Sequence, residues 1–285
     1  MRTASIRRPV TKTRVRAVRA GRVLDRPDDV VTEQPMEIRV HGPGQTPEAL
    51  AVTMRTPGND FELAVGFCRT EGILQSADDL ASVAYCLEEG DAGDDVHQEY
   101  NVVTVRLRAR VDLDGRRRTF VANSSCGLCG KASIDQLEVA CAPIPAGPPV
   151  VRSVLVSLPE RLRDAQAVFD ATGGLHASAR FSFDGDLLAL REDVGRHNAL
   201  DKIVGHALLQ RELPLRDDLL TVSGRVSFEI VQKAAVAGVP IVCAVSAPSS
   251  LAVEAADRLG QTLIGFLRDD RFNVYSHPER VDVER

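Results

Sequence analysis

The sequence predicts an α/β protein in two parts, a smaller N-terminal α+β unit followed by a C-terminal half of repeated βαβ units. Three observations predict it: short stretches between residues 36 and 111 alternate apolar with polar positions, a proline-rich linker runs from Ala142 to Pro149, and beyond it β-branched runs alternate with amphipathic stretches. At 285 residues the chain also exceeds the usual size of one domain, roughly 150 residues. The expected layout is a basic, mobile tail at 1–22, the α+β unit at 23–121, a thiol loop with its helix and linker at 122–149, and the α/β half at 150–285.

In the first unit Met36, Ile38 and Val40 alternate with polar residues, as do Leu50 and Val52, and then Val103, Val105, Leu107, Ala109 and Val111, so each stretch suits a half-buried strand. Between them, after the breaker Pro57-Gly58, Asn59-Asp60 supply a helix N-cap, and Phe61, Ala64, Val65 and Cys68 recur at helical spacing. The acidic stretch 88–99 reads as a surface loop. In the second half an apolar run from Val150 to Leu158 starts the βαβ series, and residues 219–222, 241–245 and 263–267 are the clearest strands. Phe228, Val231 and Ala235 mark one helix that Gly238 ends; Leu251, Ala255 and Leu259 mark another that ends at Gly260.

Composition narrows the function. A net charge of -5 argues against a protein that wraps nucleic acid, because that mode draws its affinity from many cations displacing counterions. No apolar run is long enough for a secretory signal or a membrane span, so no membrane association and a cytoplasmic setting are expected. The six cysteines, spread through a chain unlike a small secreted scaffold, then read as reduced thiols.

Two of them form a motif. Ser124-Ser125-Cys126-Gly127-Leu128-Cys129-Gly130 follows a short apolar run and precedes an expected helix carrying Ile134, Leu137 and Cys141. A helix N-terminus with Lys131 nearby favours thiolate over thiol, and the flanking glycines leave the sulfur open to a second macromolecule. A structural zinc site would need four ligands, and no second Cys-x-x-Cys or His-x-His pair exists, so no metal is expected. A thiol-disulfide exchanger is the stronger rival reading.

This loop, together with Thr53-Met54-Arg55-Thr56-Pro57-Gly58, residues 62–74, Thr172-Gly173-Gly174-Leu175-His176-Ala177 and segments 191–205, 223–248 and 272–280, resembles the formate dehydrogenase accessory sulfurtransferase family (FdhD). The resemblance implies a sulfur relay. A cysteine desulfurase loads a persulfide sulfur onto Cys126 while Cys129 assists or protects it, and the sulfur passes to molybdenum in bis-molybdopterin guanine dinucleotide, without which formate dehydrogenase is inactive. It also implies a homodimer. Leu128, often isoleucine in the family, and Cys68, usually an apolar position there, depart from the pattern without touching the chemistry.

The guanine dinucleotide needs backbone donors and cations at an open crevice, which parallel strands provide at their carboxyl ends. By the resemblance the leading candidate is Phe266-Leu267-Arg268-Asp269-Asp270-Arg271: Arg268 and Arg271 could hold phosphates by forked hydrogen bonds, and Asp269 or Asp270 could accept from guanine. A solvated turn is the bland alternative, and Arg225, in Ser223-Gly224-Arg225, is a further candidate. The family's C-terminal half resembles the cytidine deaminase fold, which implies a three-layer α/β/α domain. The zinc chemistry of deaminases requires His-x-Glu and Cys-x-x-Cys, and here the corresponding stretches read His176-Ala177-Ser178 and Val194-Gly195-Arg196-His197. His176 then lines the pocket or is structural, and His197 is a cap or a pocket residue. Two further functions stay open, a cofactor-binding chaperone without sulfur transfer and a disulfide exchanger.

Overall fold

The computed structural model describes residues 8–86, 100–113 and 143–284. The described chain opens with an antiparallel hairpin of β1 (Val10–Arg19) and β2 (Arg22–Val31). Ala20 and Gly21, both at positive φ (47° and 76°), form the two-residue turn such a hairpin requires. In the stretch 1–22 expected as a mobile basic tail, residues from Val10 to Arg19 form a strand. The two strands pair with each other and bury little, so no apolar face marked them; Val18, Val23 and Leu24 near the tip are exposed.

The N-terminal unit is a four-stranded sheet in the order β4-β3-β6-β5, made of β3 (Gln34–His41), β4 (Glu48–Arg55), β5 (Leu80–Tyr85) and β6 (Val102–Leu107). Its β3 and β6 run parallel, and the outer pairs are antiparallel. Met36, Ile38, Val40, Val103 and Val105 are fully or almost fully buried, and α1 (Asp60–Thr70) lays Leu63, Ala64 and Cys68 into the same core. Two details depart from expectation. The strand from Val103 stops at Leu107, and Gln45 holds the chain beyond it by bonding both the N–H and the carbonyl of Val111. Asn59 occupies the cap position at φ 57° but its side chain caps nothing; the neighbouring Asp60 carboxylate accepts from the Gly58 N–H and pairs with buried Arg55 at 2.7 Å.

The C-terminal half contains β7 (Val150–Val151), α2 (Arg152–Ala165), α3 (Ala167–Thr172), β8 (His176–Ser182), β9 (Leu187–Asp193), α4 (Arg196–Leu209), β10 (Asp218–Val222), α5 (Phe228–Val236), β11 (Ile241–Ala244), α6 (Ser250–Arg258), β12 (Thr262–Arg268), β13 (Arg271–Ser276) and β14 (Val281–Asp282). Six strands form one sheet in the order β13-β12-β11-β10-β8-β9. The three expected strands, β10, β11 and β12, are its parallel centre, while β8, β9 and β13 are antiparallel flanks that make the sheet mixed. The apolar run from Val150 gives only a two-residue strand before α2, whose Leu155, Leu158 and Leu162 fall on one helical face.

Strand alternation feeds two cores. Leu220, Val222, Val242, Ala244 and Leu263 face α4, α5 and α6, whereas Leu219, Ile241, Cys243 and Ile264 face α2. Helices thus cover both sides of the sheet, and the protein is a mixed α/β structure. No helix among the described residues is long and apolar enough to cross a membrane. The linker is anchored: Ile144 N–H donates to Leu259 O, and buried Arg280 donates to Gly260 O and Pro145 O.

The two halves meet where α1 crosses α4. A Cβ on Gly66 would stand 1.8 Å from Asp201 O, and one on Gly205 would stand 1.8 Å from Glu62 O. Only hydrogen fits between these backbones. Buried polar groups flank the contact: Lys202 Nζ lies 2.7 Å from Asp193 Oδ2 and donates to Thr56 O, and Lys233 Nζ donates to Asp201 and to Thr70 Oγ1. Gly66→Ala is expected to cost about 1–3 kcal/mol or more by forcing the helices apart, read as a lower midpoint in urea; an unchanged midpoint would show that the crossing yields without cost.

Candidate functional site

The parallel strands β10, β11 and β12 end on one edge of the sheet, and the loops leaving them are laced together. Ser223 N–H donates to Ala177 O, Val245 N–H to Val222 O, Val226 N–H to Ala247 O and Phe266 N–H to Ser246 O. Such carboxyl edges are where open α/β sheets bind ligands. Because β8 and β9 reverse direction, with His176 paired to Asp193, the start of α4 is brought to the same edge.

At one end of this row β12 bulges between Gly265 and Arg268. Phe266 takes φ 54°, and Gly265 has no room for a Cβ, which would lie 2.9 Å from Pro248 and 3.0 Å from the Tyr275 ring. The bulge turns Leu267 into the core and leaves an open depression of about 310 Å³ lined by Phe266, Arg268, Arg271, Phe272 and Asn273. Its volume is at the lower end of ligand pockets. Arg268 and Arg271 stand opposite each other across the hairpin, and Asp269, at φ 55°, makes the turn with Asp270, whose carbonyl accepts from Arg152.

Of the six residues expected here, the structure therefore brings Phe266, Arg268 and Arg271 together in one pocket. Leu267 points away into the core, Asp269 and Asp270 belong to the turn rather than the lining, and Arg225 is exposed on the loop after β10. Phe272 and Asn273 were missed. The signal for Phe272 was its placement directly after the turn arginine Arg271, a second aromatic on the arm opposite Phe266.

At the other end stand His176, Arg196 and His197. The His197 ring nitrogen Nε2 lies 3.2 Å from Ser227 Oγ and 3.0 Å from Glu229, so it ties the start of α4 to the start of α5. Asp193 holds the start of α4 in place, accepting from the Gly195 N–H just before the helix and from the Asn198 side-chain Nδ2 in its first turn. Burial, then the Arg196 guanidinium, holds His176 below the ordinary imidazole range. Burial pushes His197 down to about 3, with Arg196, Lys233 and His176 adding repulsion, so its contact with Glu229 is made by a neutral ring.

Cys126 and Cys129 lie outside the described residues. Among the described thiols, Cys68 and Cys243 are fully buried, and burial raises both, Cys243 to about 12, which leaves them without a usable thiolate. Cys86 is partly buried beside Arg39. No group of three or more His, Cys, Asp or Glu among the described residues is placed to hold a metal.

An α/β protein with its ligand edge at the carboxyl ends of a mixed sheet is the class this architecture defines. Within that class, the FdhD/NarQ family model matches residues 31–282, and the chain belongs to this family. It is 49% identical over 276 residues to the sulfur carrier protein FdhD of Mycolicibacterium paratuberculosis, covering 95% of this chain and 98% of that one. It is likewise 49% identical to the protein of the same name from Streptomyces coelicolor, covering 96% of each. Among solved structures it is similar in fold to one described as a formate dehydrogenase accessory protein from Desulfotalea psychrophila, with a TM-score of 0.72 at 22% identity, covering 96% of this chain and 99% of that one.

The depressed His197 makes a pH prediction. A ring that is neutral in the fold but titrates near 6.5 when unfolded binds fewer protons in the native state, so its contribution is present above 6.5 and is lost as pH falls toward 3. His197→Asn is expected to flatten the loss of stability over that window; denaturation midpoints with the same pH slope as the parent would contradict it.

Proposed function

We propose that this chain is a sulfur carrier acting as a sulfurtransferase. Cys126 accepts a persulfide sulfur from a cysteine desulfurase, its thiolate attacking the outer sulfur while the desulfurase thiolate leaves; the Cys129 thiolate then attacks Cys126 Sγ, closing a disulfide between the two and releasing the outer sulfur at the sulfide level to bis-molybdopterin guanine dinucleotide. That cofactor is the substrate, and formate dehydrogenase depends on the step. The reading is carried by membership of the FdhD/NarQ family together with the Cys126-Gly127-Leu128-Cys129 pair. Support comes from two of the other thiols, since burial of Cys68 and Cys243 removes them as carriers. Cys129 assists or protects the sulfur, and the protein acts in the cytoplasm as a homodimer.

The dinucleotide is proposed to dock at the Phe266 pocket, where Phe266 and Phe272 offer ring faces to guanine and Arg268 and Arg271 offer forked donors to phosphate. We further read the six-stranded sheet, covered by helices on both faces, as a cytidine-deaminase-like scaffold. In support, helices α4 and α5 open at the carboxyl edge with Arg196-His197 and after Ser223-Gly224-Arg225, positions without the His-x-Glu and Cys-x-x-Cys that deaminases use to hold zinc.

Two experiments test this. Incubated with a desulfurase and cysteine, the protein is expected to gain sulfur mass that Cys126→Ala abolishes, measured on the intact chain. No gain would favour a cofactor chaperone, and cycling of two thiols without added mass would favour an exchanger. Arg268→Ala with Arg271→Ala is expected to weaken GDP affinity; superimposable titrations would remove the pocket from the proposal.

A further inference from the structure

The cluster at the opposite end of the carboxyl edge has its own chemistry, separate from the Phe266 pocket. Arg196 has no acidic partner among the described residues, and its Nε is buried without a hydrogen bond. Asp193, the nearest acid in sequence, is committed to Lys202, Thr56 N–H, Gly195 N–H and Asn198. Arg225, on the loop that follows β10, also has no acidic partner among the described residues. On the same loop as Arg225, Ser223 Oγ accepts from Ala177 N–H at 2.9 Å and so keeps its own proton free to donate. Gly224 leaves the backbone bare beside His176: a Cβ there would come within 3.2 Å of the ring Nδ1.

We propose that this corner is a phosphate-binding site, formed by Arg196 and Arg225 with the Ser223 hydroxyl, the backbone at Gly224 and the His176 ring, and suited to a phosphoryl or pyrophosphoryl group. A planar carboxylate is satisfied by one guanidinium fork. Donors carried on three separate elements, β8, α4 and the loop after β10, suit instead a group whose oxygens point in several directions. His176 suits the role because, held below the ordinary imidazole range, it adds no charge to compete with Arg196 and can donate through one ring nitrogen. An arriving dianion would supply the counter-charge that the corner lacks. The proposal deepens the cofactor reading by giving the substrate a second, phosphate-recognising contact, and it rests on that reading only for the identity of the natural ligand.

The test uses the full chain titrated with inorganic pyrophosphate, GDP and guanosine. The parent protein is expected to bind pyrophosphate saturably. Arg196→Gln should lose roughly tenfold or more in affinity for pyrophosphate and GDP, with guanosine unchanged and the thermal midpoint of the variant checked alongside. Arg225→Gln, at an exposed position that cannot threaten the fold, should lose severalfold in the same two titrations, and Arg196→Lys should recover part of the loss. Absence of saturable pyrophosphate binding by the parent overturns the site, as does an Arg225→Gln variant that binds as the parent does together with an unaffected Arg196→Gln. Failure of the pocket reading is distinct: it appears as GDP affinity that ignores Arg268→Ala with Arg271→Ala while the pyrophosphate response to Arg196→Gln persists.

Discussion

The structure depends on the contact between α1 and α4, where Gly66 and Gly205 let two helix backbones touch. Hydrophobic burial alone would not fix such a crossing, since apolar side chains can slide. Here the register is set by polar groups that have only one way to be satisfied. Lys202 is buried between Asp193 and the Thr56 carbonyl, Asn198 bonds both Met54 O and Thr53, Lys233 joins Asp201 to Thr70, and Glu62 pairs with Arg191. Each bond links the N-terminal unit to the C-terminal half or braces α4. A buried ion pair adds little net stability, but losing one partner costs about 3–5 kcal/mol, so the arrangement tolerates no alternative docking.

That constraint carries through to the site. Asp193 ends β9 and, while holding Lys202 and Thr56, also accepts from the N–H of Gly195 at the start of α4. The position of Arg196 and His197 at the carboxyl edge is thus fixed by the same carboxylate that fastens the two halves. At the other end of the edge the Gly265 to Arg268 bulge decides which residues of a six-residue stretch face solvent. The carboxyl edge is therefore shaped by two separate devices, one electrostatic and one conformational.

Much of this was legible in the sequence wherever burial imposes a period. Met36, Ile38 and Val40, and the runs at Leu219 and Ile241, declared their strands because one or both faces are dry. Residues 10–31 did not, since their strands pair only with each other. In β8 the apolar pattern is broken by buried Arg180, which is paired with Asp218 and Glu212, so its antiparallel place in the sheet was hidden. Arg268 and Arg271 were readable as charges straddling a turn. The inward rotation of Leu267 was not, because a bulge shifts register by an amount that counting by twos cannot detect. The place of Arg196 at the carboxyl edge was visible only through topology, when the reversal of β8 and β9 carried α4 there.

Leu113 is buried in the N-terminal core and Ile144 is held against Leu259 in the C-terminal half, so the segment carrying Cys126 leaves from one half of the molecule and returns to the other. At 3.3–3.6 Å of extended chain per residue, Cys126 can lie no farther than about 45 Å from Leu113. Both anchor points of that segment, Leu113 in one half and Ile144 in the other, are thereby set by the same crossing of α1 and α4 that joins the halves.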